Sequence, residues 1–259
     1  MSLKMDVPER QSDRLREKVC MVTGASRGIG RAIAVELGSH GAKVIVNYRS
    51  SEEKAEEVSD AICEVDSDAV PVQADVANLS NVHEMVEQTH DAFGNVDVLV
   101  NNAGITIDKT FDSMTREDWD RVIAVNLGGV FNCTKACFED IKQADDGRLI
   151  NISSVVGQQG NFGQANYAAS KSGLFGFTRT LALELATSGS TANCVAPGFT
   201  KTDMLATVPD RIKEKILHDI PLDRFAEPED IAGFVRFLAS EESAYMTGQI
   251  LSVNGGLDW

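Results

Sequence analysis

Tyr167-Ala168-Ala169-Ser170-Lys171 places a phenol and an ammonium four residues apart, on one face of a helix. A free tyrosine ionises near pH ~10 and is a poor acid–base catalyst at neutral pH. An adjacent ammonium favours the phenolate, so the pair predicts that Lys171 lowers the ionisation of Tyr167. Upstream, Ser154 follows the apolar run 148–153, where its hydroxyl would orient a carbonyl oxygen beside the phenol. Such a trio delivers a proton to a carbonyl oxygen. The Tyr-x-x-x-Lys spacing is common by chance and gains meaning only from its company.

Part of that company is Thr23-Gly24-Ala25-Ser26-Arg27-Gly28-Ile29-Gly30, which follows one strand candidate and opens a helix candidate. Gly24 permits a tight turn, Gly28 lets a pyrophosphate approach the backbone, and Gly30 allows close packing of helix on strand. Ser26, Arg27 and Ile29 belong to the same turn, and the helix start offers free N–H groups to phosphates. An NAD site usually has an acid at the end of the next strand. Here Val44-Ile45-Val46-Asn47-Tyr48-Arg49-Ser50-Ser51 reaches none before Glu52. Arg27 and Arg49, with Ser50 beside the latter, instead suit a 2′-phosphate, so NADP(H) is the expected cofactor.

These groups need a scaffold. Strand candidates at 19–23, 43–47, 70–74, 96–101, 148–153, 191–196 and 250–253 alternate with helical patterns at 28–39, 52–64, 79–93, 116–142, 164–186 and 228–238. The first six strands are near-continuous apolar runs, as expected where helices cover both sheet faces. The alternation predicts an α/β fold: one Rossmann-type, doubly wound domain of seven mostly parallel strands flanked by helices, over 18–259. Residues 1–17 read as a loose extension. The charged stretch 199–226, with Pro209 and Pro221, lies beyond a strand's carboxyl end and reads as a substrate lid; a plain surface helical hairpin is the alternative.

The 259 residues carry 39 Asp+Glu against 24 Lys+Arg, a net charge of −15. That excess repels phosphate backbones and anionic lipid, which argues against nucleic acid or membrane as partner. No run approaches the ~18 apolar residues of a membrane span, and the N-terminus lacks the apolar core of a secretory signal, so a cytoplasmic location is expected. The acidity fits either ordinary solubility or a salty cytoplasm. Cys20, Cys63, Cys133, Cys137 and Cys194 read as reduced and structural, and no metal-ligand set is visible.

With these motifs the chain resembles the classical short-chain dehydrogenase/reductase family over about residues 17–258. The resemblance rests on Thr23–Gly30, Asp75-Val76, Asn101-Asn102-Ala103-Gly104, Asn126, Ser154, Tyr167/Lys171, Pro197-Gly198 and Asn254-Gly255-Gly256. It implies that Asp75, with Val76 beside it, bonds the adenine, and that Asn102, Ala103 and Gly104 support the adenosine ribose and the central strand. It further implies that Asn126 holds a water relaying protons to Lys171, which also bonds the nicotinamide ribose. Pro197, Gly198 and Thr200 would fix the nicotinamide face, and Tyr167 would give its proton to the nascent alkoxide. The implied assembly is a homotetramer built on helices near 116–142 and 164–186.

Within the family, Asn101–Ile105, Ser154–Lys171 and Ala196–Met204 look most like 3-oxoacyl-thioester reductases. Two groups share them: acetoacetyl-CoA reductases of polyhydroxyalkanoate synthesis and 3-oxoacyl-acyl-carrier-protein reductases. Phe162, Gln164 and the stretch 111–120 lean towards acetoacetyl-CoA, although Phe199 stands where those enzymes often have Tyr. Phe162, Gln164 and Phe199 would join Ser154 and Tyr167 at the substrate. Lys201, Arg211, Lys213 and Lys215 interleave with Asp203, Asp210, Glu214 and Asp219, a weak docking patch for an acidic carrier protein. Acetoacetyl-CoA is the favoured substrate, and a reductase of another ketone or sugar, or a non-catalytic binding protein, are the other readings.

Overall fold

The computed structural model describes residues 14–206 and 208–257. Seven strands form one parallel sheet in the order β3-β2-β1-β4-β5-β6-β7. They are β1 (Val19–Val22), β2 (Lys43–Tyr48), β3 (Ala69–Gln73), β4 (Val98–Asn101), β5 (Arg148–Ile152), β6 (Thr191–Pro197) and β7 (Ile250–Val253). The order reverses between β1 and β4, which opens a crevice at their carboxyl ends.

Side chains alternate across the sheet and so feed two cores. On one face Cys20, Val22, Val44 and Val46 pack with α1 (Gly28–Ser39), α2 (Glu52–Cys63) and α10 (Pro228–Ala239) through Ile33, Leu37, Val58, Ile231 and Val235. On the other, Met21, Ile45, Leu99 and Leu149 meet α3 (Leu79–Phe93), α5 (Gly129–Gln143) and α7 (Ala165–Leu185) through Met85, Cys133, Cys137 and Leu185. Helix coverage on both faces is why these strands read as unbroken apolar runs. Cys20, Cys133, Cys137 and Cys194 are free and buried, and Cys63 is free and exposed.

Three elements differ from the sequence reading. The helix expected over 116–142 is α4 (Arg116–Ile123), a π turn over Ala124–Gly128, and then α5. A short α6 (Val155–Gln159) follows β5, and Ser154 caps it by accepting from Val156 N at 3.2 Å. Between β6 and α10 lie α8 (Asp203–Ala206) and α9 (Asp210–Asp219). This excursion is stitched at its base, where Lys201 N donates to Ala226 O (2.9 Å) and Ala226 N to Phe199 O (3.0 Å). Of the expected extension 1–17, residues 1–13 lie outside the described residues; the turn that follows buries Leu15 completely and bonds it to His40 O. Among the described residues no helix is long and apolar enough to cross a membrane.

Candidate active site

The glycine-rich turn joins β1 to α1. Gly24 (φ 62°) and Gly28 (φ 57°) take the left-handed backbone that favours glycine. A Cβ on Gly30 would lie 2.4 Å from both Asn102 Nδ2 and the Gly24 carbonyl, so only glycine fits. The turn is bonded from two sides. Asn47, buried at the end of β2, accepts from Gly24 N at 3.1 Å and donates to Val72 O and Ala74 O. Asn102 donates to the carbonyls of Thr23 (2.9 Å) and Gly24 (3.2 Å), while the Thr23 hydroxyl accepts from Asn102 N and Ala103 N. The side chain of Asn102 is therefore committed to holding the turn. Asn47 and Thr23 went unassigned in the sequence, although each was visible as a polar residue ending an apolar run.

Does this cradle fit a dinucleotide? Helix α1 begins without a side-chain cap and with no acid in its first turn, so its leading N–H groups and positive dipole end remain for an anion. Arg27 stands at that helix start, and exposed Arg49 and Ser50 follow β2. Asp75, at the end of β3, accepts from Ala77 N, and Val76 beside it is buried. The residues present fit an anionic dinucleotide. Arg27 also approaches Asp203 of α8 at 3.5 Å.

Beyond β5 the catalytic candidates meet. Lys171 is buried, lies 5.7 Å from the centroid of the Tyr167 ring and donates to Ile152 O at 2.7 Å. The Ser154 hydroxyl stands near enough to the Tyr167 phenol to favour its ionised form. Asn126, fully buried in the π turn, accepts from Ile105 N (2.8 Å) and donates to Ile105 O (3.0 Å) and the Ser170 hydroxyl (3.1 Å). Ser170 in turn donates to Tyr167 O at 2.7 Å. The Asn126 side chain thus ties the loop after β4 to α7, and π turns of this kind recur at functional sites. Gly104 lies next to Asn126 and Lys171, with its Cβ position 3.4 Å from Asn126 Oδ1.

The electrostatics correct one expectation. The Tyr167 hydroxyl is not lowered but pushed up to about 12. Desolvation of the half-buried ring penalises the phenolate, Ser154 opposes it, and the Asp108 carboxylate adds to it. Lys171 does not offset this, because it loses its own proton before the phenol ionises. Burial brings Lys171 itself down to about 8, slightly opposed by Cys194.

Around the mouth, Phe162 is 87% exposed and Phe199 is half-buried. The Gln164 carboxamide donates to both oxygens of Asp108 (3.0 Å each) and to Thr106, so it braces the loop. Sequence reasoning passed over Asp108, and nothing in its neighbours singled it out. At the end of β6, Gly198 N bonds Val253 O (2.9 Å), Thr200 donates to Gly198 O, and a Cβ on Gly198 would strike Asn254 Cα at 2.7 Å. Pro197 closes that buried strand, so the Pro197–Thr200 corner is rigidly placed beside the cluster.

Comparison with known proteins is consistent with this geometry. A family model described as enoyl-(acyl carrier protein) reductase matches residues 24–258. A Synechocystis protein named 3-oxoacyl-(acyl-carrier-protein) reductase is 50% identical over 244 residues, 94% of this chain and 98% of that protein. Proteins of Staphylococcus aureus and Staphylococcus epidermidis named 3-oxoacyl-(acyl-carrier-protein) reductase FabG are 49% and 48% identical over 240 residues, 93% of this chain and 98% of each relative.

Proposed function

Because this chain belongs to the short-chain dehydrogenase/reductase family and is an oxidoreductase, we propose that it reduces a 3-oxoacyl thioester to the 3-hydroxyacyl thioester with NADP(H). The observation that carries the reading is the convergence of Ser154, Tyr167 and Lys171 at strand ends beside the glycine cradle. When bound, the cofactor supplies a hydride for the ketone carbon. Ser154 holds the ketone oxygen by its hydroxyl. Tyr167, kept protonated by burial throughout the neutral range, donates its proton to that oxygen as charge develops there. Lys171 keeps an ammonium behind the phenol at neutral pH, and Asn126 holds the loop after β4 against α7. The lid over 199–226 closes the mouth from its stitched base. Exposed Phe131 on α5 and Leu183 on α7 are apolar faces that other copies would cover in a homotetramer.

The relatives are named for a carrier-protein thioester, and that is the first reading of the substrate. A specific observation favours a second, acetoacetyl-CoA. Five of the cations around the mouth are paired with carboxylates: Lys109 with Asp118, Arg116 with Asp120, Lys201 with Glu227, Lys213 with Asp210 and Arg224 with Asp230. Such pairing weakens attraction for an acidic carrier protein. The test compares kcat/KM for acetoacetyl thioesters on carrier protein and on CoA. A tenfold or greater preference for the carrier form supports the first reading; equal or better turnover of the CoA form replaces it with the second.

A further inference from the structure

Two poor helix formers, Gly129 and Asn132, stand three residues apart in α5. Residues at that spacing share a helix face, and both meet the same residue, Val76, in the segment that follows β3. The Asn132 carboxamide donates to Val76 O at 2.9 Å. A Cβ on Gly129 would lie 2.6 Å from Val76 Cγ2 and 3.1 Å from Val76 Cβ, so the helix backbone comes as close as a glycine allows. Helix propensity alone would put neither residue there.

The segment 75–77 is tethered at both ends. Ala74 N donates to Tyr48 O at 2.9 Å, which ties it to β2, and Asn78 caps α3 by accepting from Ser80 N at 3.0 Å. Between the tethers Asp75 accepts from Ala77 N at 3.0 Å, and the buried Val76 side chain joins the core beneath α3 and α5. This corner lies beyond the carboxyl ends of β2 and β3, on the Arg49 side of the cradle. A dinucleotide with its pyrophosphate at the start of α1 and its 2′-phosphate at Arg49 lays its adenine there. Adenine offers an amino donor beside a ring-nitrogen acceptor, and a carboxylate next to peptide N–H groups complements both.

We infer that Asn132, on α5, is a positioning residue for the adenosine half of the cofactor: through Val76 O it holds the segment 75–77 where the adenine meets it. The inference rests on the reading of the glycine cradle as a dinucleotide site. Asn132 acts through the backbone and does not touch the nucleotide. A segment that must be ordered on binding costs affinity, and a carboxamide that orders it beforehand removes that cost. The effect belongs to one half of the ligand, because Ser154, Tyr167 and Lys171 are carried by β5, α6 and α7 rather than by this corner.

The test titrates adenosine 2′,5′-bisphosphate, the adenosine half of NADP(H), into the parent, Asn132→Leu and Asn132→Asp by calorimetry. Leucine removes the donor at similar size, and aspartate keeps the shape but turns an oxygen towards Val76 O. Both variants should bind the probe roughly 3–10-fold more weakly, the worth of one hydrogen bond, and KM for NADPH should rise in step. At saturating NADPH, kcat and the KM for the thioester should stay within about twofold of the parent. Probe affinity at the parent level in both variants overturns the inference. So does an equal loss in thioester KM, since Asn132 would then merely hold the fold together. Where the leucine variant fails to fold, Asn132→Ser, too short to reach Val76 O, takes its place. Titration needs no turnover, so a parent that binds the probe but reduces no 3-oxoacyl thioester removes the proposed function and leaves this inference standing; a parent that does not bind it overturns the inference.

Discussion

The glycine-rich turn after β1 and the catalytic corner after β5 occupy strand ends of the same sheet, but they are made differently. The turn is mainly a backbone object. Its shape follows from residues without side chains, and the bonds from Asn47 and Asn102 hold carbonyls and N–H groups. The corner is a side-chain object. Ser154, Tyr167 and Lys171 come from two segments, and Asn126 and Asp108 join them from two more. A backbone site tolerates no added volume, whereas a side-chain site tolerates volume but not a lost functional group.

The sharpest way to break that contrast is Tyr167→Phe, which keeps the ring and removes the proton. Reductive kcat should fall roughly 10²–10⁴-fold while NADPH binding, measured by fluorescence titration, stays near that of the parent. A variant within tenfold of the parent rate would return the chemistry to some other group. Gly30→Ala makes the opposite test, since its Cβ would sit 2.4 Å from Asn102 Nδ2 and Gly24 O. Denaturant unfolding should show a loss of about 1–3 kcal/mol together with weaker NADPH binding. Gly233→Ala in α10 meets nothing within 4 Å and should instead gain up to about 1 kcal/mol.

Smaller effects sharpen the division between the regions. Arg27→Ala or Arg49→Ala should weaken NADPH by about 10–100-fold and leave NADH nearly unchanged; equal losses for both cofactors would remove the 2′-phosphate role. A pH-dependent effect concerns Lys171, whose folded-state value of about 8 lies below the ordinary 10.5 because burial penalises the ammonium. Reduction should decline as pH rises through about 8, where the ammonium is lost. Stability runs the other way. Between about 8 and 10.5 the unfolded chain keeps a proton that the folded chain has shed, so this group's contribution to stability rises with pH. At neutral pH Lys171→Met should be more stable by at most about 3 kcal/mol, with the gap closing across that window.

Much of this was legible in the residues. Seven apolar runs and the helical patterns between them correspond to seven strands and their covering helices, because burial on both faces leaves a composition signal. The π turn did not show, since one extra residue in a turn scarcely disturbs the apolar pattern from 116 to 142. Helix α6 was too short to have a period. Gln164 is expected at the substrate from its likeness to acetoacetyl-CoA reductases, and such a likeness does not say that its carboxamide donates to Asp108.

Tyr167 shows the same division most clearly. That it stands on one face of a helix with Lys171 follows from the four-residue spacing and helix geometry alone. The direction in which its ionisation moves does not. That depends on how much water the fold leaves around the phenol, on Ser154 and on Asp108 arriving from a distant loop, and on the burial that strips Lys171 of its proton first. Local spacing determines which groups can share a face, because backbone geometry is local. Solvation and the field of distant charges exist only once the chain has closed around the site, so the protonation of the donor belongs to the tertiary structure.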